Sequence, residues 1–203
     1  MIARTLPYLM VVIIMAIAIL PAKAAVEIGK PAPAISATDI HGNEFNLDDH
    51  KGKIVVLEWF NKGCPFVQKH YDSGNMQQLQ QDAAAQDIAW VTIISSAEGK
   101  QGYVTDEEGL ADLERYNAAP TTLIRDVSGE IGTAYDAKTT PHMFVIDAKG
   151  NVAYAGAIDS NSSANPDTIE SAENYVTAAI DSLQAGESVA TTTTSPYGCA
   201  VKY

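Results

Sequence analysis

At 203 residues, the chain can fold as one domain around its own core, and it is too long to be a small scaffold held together mainly by its two cysteines. A formal net charge of −12 argues against nucleic acid and anionic membrane surfaces as partners and reads as a solvated exterior.

The first 24 residues read as a signal peptide. Arg4 supplies the positive start, Leu9 to Leu20 form an apolar run, and Ala22-Lys23-Ala24 offers the small-x-small cleavage pattern. The run is shorter than the roughly 20 residues that span a bilayer, and no cysteine near the cleavage point offers a lipid attachment site. Export to a periplasmic or secreted location, with no stable membrane anchor after cleavage, is therefore expected. Such compartments let disulfides persist. The two cysteines, Cys64 and Cys199, allow one intramolecular bridge.

Residues 25–34 read as an extended lead-in, and Ile35 to Leu47 as a short hairpin turning at His41-Gly42-Asn43. Ile54-Val55-Val56-Leu57 is a continuous apolar run, the pattern of a strand covered on both faces. Cys64-Pro65 opens a helical stretch toward Ala85, with proline at the first helical position and a break at Ser73-Gly74-Asn75. Ile88 to Ser95 is a second buried strand. Thr105 with Glu108 forms a capping-box signature for a helix reaching Tyr116. A strand at Thr121–Arg125, a short helix at Ile131–Tyr135 and a hairpin of His142–Asp147 with Val152–Ala157 follow. Asp167 to Gln184 reads as the last long helix, ended by Gly186. Residues 25–186 make one domain, and 187–203 form a Thr-rich tail carrying Cys199. The alternation gives an α/β fold with a mixed central sheet and helices on both faces.

Cys64 is the residue on which chemistry centres. It stands between a buried strand and a helix start, where unpaired backbone N–H groups and the helix dipole favour an anion and so a thiolate. Lys62 adds positive potential nearby. A soft-metal reading through Cys64, His70, His142 and Met143 suits copper by ligand type, but His70 lies six residues along the helix and nearly opposite in direction; no metal and no cofactor are expected. His41 and His50 read as solvated, and Trp59 and Phe60 as core.

The segment Val56-Leu57-Glu58-Trp59-Phe60-Asn61-Lys62-Gly63-Cys64-Pro65 resembles the strand-to-active-site stretch of the thioredoxin superfamily. Gly63-Cys64-Pro65-Phe66-Val67 with Lys69-His70-Tyr71 is similar to its redoxin branch, the alkyl hydroperoxide reductase-like or peroxiredoxin-like proteins. Thr139-Thr140-Pro141-His142-Met143-Phe144-Val145-Ile146-Asp147 resembles the superfamily's cis-proline loop and following strand, and Gly198-Cys199-Ala200-Val201-Lys202-Tyr203 the ending of the same branch. The resemblance implies a thioredoxin-like three-layer sandwich with an N-terminal β-hairpin extension. It implies an exported thiol–disulfide oxidoreductase acting on protein thiols and disulfides or on hydroperoxide, with an external thiol reductant. In it Pro141 shapes the surface where a partner's disulfide docks, and Glu58 is a buried acid that accepts protons, the other reading being a partly exposed glutamate in a salt bridge.

The departures from the family pattern are specific. The position three after Cys64 is Val67, so no C-x-x-C couple exists. Leu57 and Asn61 stand where a typical peroxiredoxin has proline and threonine or serine, and the peroxide-orienting arginine would fall near Pro141, leaving Arg115 and Arg125 as the only arginines after the leader. Efficient peroxidase activity is not expected from such a site. Cys199 is then the one intramolecular partner for Cys64: either a resolving thiol carried on a mobile tail, or half of a permanent staple in a non-catalytic binding module.

Overall fold

The computed structural model describes residues 26–203; the expected signal peptide falls outside the described residues. In chain order the elements are β1 (Ser36–Thr38), β2 (Glu44–Asn46), β3 (Val55–Trp59), α1 (Pro65–Asp72), α2 (Asn75–Ala85), β4 (Ala89–Ile94), α3 (Asp106–Tyr116), β5 (Thr122–Arg125), α4 (Glu130–Ala134), β6 (Thr139–Thr140), β7 (His142–Ile146), β8 (Val152–Gly156), α5 (Tyr175–Gln184) and β9 (Cys199–Ala200).

The central sheet runs β5-β4-β3-β7-β8. β3 pairs with β4, and β4 with β5, in parallel; β7 and β8 add antiparallel partners on the other side. Every residue of β3, β4 and β7 is buried, the continuous apolar pattern of strands covered on both faces. Alternation sends Val56, Trp90 and Val145 to one face and Leu57, Val91 and Phe144 to the other. The first face is covered by α1, α2, α3 and α5, which contribute Val67, Met76, Tyr116 and Val176. The second is covered by the N-terminal hairpin, the short α4 and Val201 of the tail. The three layers are thus unequal: four helices on one side, and mostly hairpin on the other. Two right-handed crossovers moving the same way along the sheet place their helices on the same face, which accounts for the asymmetry.

The break between α1 and α2 falls at Ser73 and Gly74, the latter at φ 80°. The Thr105 capping box is formed in both directions. The last helix is shorter than the sequence suggests. Residues 166–168 make only a 3-10 turn capped by Asn165, and α5 starts at Tyr175 behind its own cap, Asn174, which accepts from Thr177 N–H. The intervening segment is pulled into contact with the loop after β8: Ser160 N–H donates to Glu173 carbonyl and Glu173 N–H to the Ser160 hydroxyl.

Candidate functional site

Cys64 caps α1, with its backbone still extended (φ −93°, ψ 121°) and Pro65 at the first helical position. β3 runs in the core up to Trp59, whose indole N–H donates to Ser95 Oγ at 3.0 Å; Ser95 in turn donates to Asp126 at 2.6 Å. That buried chain fixes the end of the strand. The next residues are held by Asn61: its Oδ1 accepts from Gly63 N–H and its Nδ2 donates to the Gln101 carbonyl. Asn61 therefore shapes the loop that delivers Cys64. Lys62 pairs with Asp112 of α3 at 3.0 Å, so its charge is matched.

Cys64 is fully buried, and its sulfur lies between two hydrogen-bonding groups. Its S–H donates to the Thr140 carbonyl at 3.0 Å, and Cys199 N–H donates to it at 3.4 Å. Thr140 precedes Pro141 across a cis peptide bond. The two residues that sequence separates by 135 positions thus meet, because β9 pairs antiparallel with β6 and sets Cys199 opposite Thr140. Both cysteines are free thiols. Burial opposes ionisation of Cys64, but the Cys199 and Thr140 side chains and the N–H groups of Cys199 and Val67 outweigh it, and its pKa lies below the ordinary cysteine value. Burial, then the hydrogen bond and charge of Cys64, push Cys199 up to about 11. Cys64 ionises first, and its partner keeps its proton.

A model of the AhpC/TSA family matches residues 28–155. The chain belongs to the AhpC/TSA family. No curated protein matches it in sequence. Among solved structures, this AhpC/TSA chain is similar to an uncharacterized conserved protein from Geobacillus kaustophilus, at 24% identity over 87% of this chain and 92% of that one, with a TM-score of 0.74. It is similar to a hypothetical protein from Sinorhizobium meliloti at 24% identity, with 89% and 96% covered and a TM-score of 0.73. The thioredoxin domain of a thiol-disulfide oxidoreductase from Bacteroides vulgatus matches at 18% identity, with 72% and 98% covered and a TM-score of 0.53. These likenesses show the fold, which is thioredoxin-like.

Measured against the family pattern, the remaining residues divide clearly. Glu58 is fully buried on β3 and is not a salt-bridged strand-end glutamate. Its carboxylate accepts from Tyr71 hydroxyl and Trp90 indole N–H at 2.8 Å each, and from Thr92 hydroxyl at 3.1 Å. Burial raises its pKa against those donors. No hydrogen bond joins Glu58 to either thiol. Arg125 binds Asp106 and the Val104 carbonyl at the start of α3, and Arg115 lies over the Tyr116 ring; neither contacts Cys64. Among the described residues no cluster of three or more His, Cys, Asp or Glu side chains is placed to hold a metal. His142 is buried beside Trp59 and Phe144, and His50, read as solvated, stacks on Phe45 at 5.0 Å.

Sequence reasoning missed the group that holds the second cysteine in place. Lys69 of α1, fully buried, pairs with Asp159 Oδ2 at 3.0 Å and donates to the Asn161 carbonyl at 2.9 Å. The Tyr197 hydroxyl donates to the other oxygen of Asp159, and its ring meets Phe66 edge-on at 5.7 Å. His70 Nε2 lies 3.3 Å from the same hydroxyl. An aromatic residue two positions before a cysteine in a polar tail was the available signal.

Proposed function

We propose that this protein is an exported thiol–disulfide oxidoreductase in which Cys64 is the attacking thiol and Cys199 the resolving one. The observation that carries the reading is the seating of Cys199 against Cys64 at the N-terminus of α1, with the acidities of the two thiols driven apart. In the reductive direction the Cys64 thiolate attacks a substrate disulfide, forms a mixed disulfide and expels one substrate thiolate. Cys199, losing its proton, then attacks the Cys64 sulfur, which forms the Cys64–Cys199 bond and releases the second thiolate. Two electrons pass from the cysteine pair to the substrate, and an external dithiol returns them. Pro141 borders the attacking sulfur through its neighbour Thr140. The family resemblance makes Glu58 the buried proton acceptor of the site; its carboxylate is held by Tyr71, Trp90 and Thr92, so this role needs water to carry the proton between it and the thiols. Disulfides are favoured over peroxide as the substrate, because both arginines are committed elsewhere and Asn61 is spent on the loop.

Equilibration of the mature protein in redox buffers, followed by thiol trapping and intact mass, tests this. A Cys64–Cys199 potential above about −250 mV marks an exchange-competent pair. A potential below about −300 mV marks a structural staple and overturns the reading in favour of a non-catalytic binding module. Cys64→Ser is expected to abolish exchange with the fold retained.

A further inference from the structure

The strap that brings Cys199 to Cys64 is seated along its whole length like a bound peptide. Thr194 lies along β8, where its N–H donates to Ala155 carbonyl at 3.2 Å and its hydroxyl accepts from Ala157 N–H at 2.9 Å. Tyr197 fills a niche of Phe66, Lys69 and Asp159. Gly198 passes so close to the Thr140 carbonyl, at φ 136°, that any Cβ there would overlap it. Cys199 and Ala200 then pair with β6, Val201 N–H donates to the Lys138 carbonyl, and the Lys202 carbonyl accepts from Ala97 N–H at 2.9 Å. The Tyr203 ring lies on Gly129 and Gly132, where a Cβ would come within 2.7 Å of it, and its hydroxyl donates to Ala137 carbonyl. Backbone hydrogen bonds supply the hold and pockets for particular side chains the selection, as when a strand adds to an exposed edge.

Under this strap the Cys64 sulfur has no exposed surface. A disulfide on another molecule has no path to it while residues 197–200 are in place. In the redox reading Cys64 must meet its substrate, and the strap, whose Cys199 N–H touches the sulfur, is held mainly by hydrogen bonds.

We propose that the slot over Cys64 is a binding site for extended peptide segments of the pattern aromatic–glycine–cysteine, that Tyr197-Gly198-Cys199 is its built-in occupant, and that an external segment reaches Cys64 only by displacing the strap. The niche beside Phe66 and Lys69 reads the aromatic ring. The Thr140 carbonyl admits only glycine before the cysteine. The β6 edge holds the backbone of the cysteine and the residue after it. The inference rests on the redox reading for the use to which the slot is put; occupancy itself needs no electron transfer, so the two fail separately.

The test is the alkylation rate of Cys64 in reduced full-length protein with Cys199→Ser, which leaves one thiol to follow. Adding Gly198→Ala forces the strap out and is expected to raise the rate at least about tenfold, as for local opening that no longer limits access. Release also removes the hydrogen bond that residue 199 gives to the sulfur, which would lower the thiolate fraction, so acceleration reports access. A synthetic peptide reproducing residues 195–203, with serine in the place of the cysteine, is expected to slow the released variant again. The same peptide with alanine in the place of the glycine is expected to have no effect. Tyr203→Ala, at the exposed far end of the strap, provides a second release that leaves the fold untouched and is expected to accelerate alkylation several-fold. Alkylation unchanged in both release variants overturns the gating, and a released slot that neither peptide protects, or that both protect equally, overturns the recognition pattern. Whether the redox reading stands is read independently from the potential of the unmodified pair.

Discussion

Three buried titratable side chains give this protein an opposed pH dependence. Burial, with Asp159 acting against it and Lys69 reinforcing it, holds His70 down at about 4; burial with Lys138 does the same to His142, also to about 4. The ordinary value is 6.5. Above that value neither the folded nor the unfolded state binds the proton, and the stabilisation is complete. As pH falls below it, the unfolded chain takes up protons that the fold refuses, and stability drops by about 1.4 kcal/mol per pH unit for each histidine until the folded value is reached. Glu58 runs the other way, because burial raises its carboxyl above 4.5. Its contribution is complete below the unfolded value and is lost as pH rises through the folded one. Urea unfolding at a series of pH values separates the two effects. Glu58→Gln should gain stability relative to the native protein as pH rises above about 4.5, and His70→Asn should lose less between pH about 6.5 and 4. A difference curve that stays flat for Glu58→Gln would mean that its carboxyl titrates alike in both states. For Glu58 the sequence left two readings, the buried acid that the resemblance implies and a partly exposed glutamate in a salt bridge, and its burial on β3 decides between them. The burial of His70 and His142 was not legible in the sequence, because a single polar letter at the edge of an element does not say what packs over it.

At the scale of elements, the Lys69–Asp159 pair joins α1 to the loop after β8. Two charges taken out of water are compensated by each other, by the Asn161 carbonyl on Lys69, and by the Tyr197 hydroxyl and Asn161 N–H on Asp159. Removing one partner leaves an uncompensated buried charge. Asp159→Asn keeps an oxygen for Tyr197 but strips Lys69 of its counter-ion, and should cost about 3–5 kcal/mol in urea unfolding. Lys69→Met added to it should recover most of that loss; equal destabilisation of the single and double variants would show that the pair is not what holds the elements together. This cluster also explains which elements the sequence made legible. The starts of α1 and α3 were read correctly because Cys64-Pro65 and Thr105 with Glu108 carry their reasons locally, in a proline that needs no N–H and a reciprocal cap. The last helix was placed too early, at Asp167, because two asparagines, Asn165 and Asn174, each cap competently. The choice between them is made by contacts with Ser160, next to Asp159 and far from either cap in sequence. The tail misled for the same reason. Tyr197 finds Asp159, Thr194 finds Tyr154 and Tyr203 finds Ala137, 38, 40 and 66 positions away, so no local period announces a seated segment.

At the scale of the whole molecule, the sandwich and its strap differ in how much surface each keeps from water. The sheet and its helices bury two continuous apolar clusters, whereas the strap contributes only partly buried residues to them, Tyr197 and Cys199 on one face and Val201 on the other. Its hold is mostly hydrogen bonds, each with a net contribution of about 1 kcal/mol, at the cost of ordering the chain that makes them. Such a segment opens at a free energy below that of global unfolding. Denaturant sensitivity follows exposed area, so opening of the strap should be nearly insensitive to urea while global unfolding is steep. The alkylation rate of Cys64 in the reduced protein should therefore stay almost flat at low urea and turn upward only near the unfolding transition. A rate that climbs from the first additions with the slope of global unfolding would mean that Cys64 reacts only when the entire sandwich opens. The resting strap would then be an integral part of the fold rather than a separable cover over the thiol. A flat limb fixes the opposite order of events: the strap leaves, the sandwich stays, and the helix terminus that favours the Cys64 thiolate is intact when the substrate arrives.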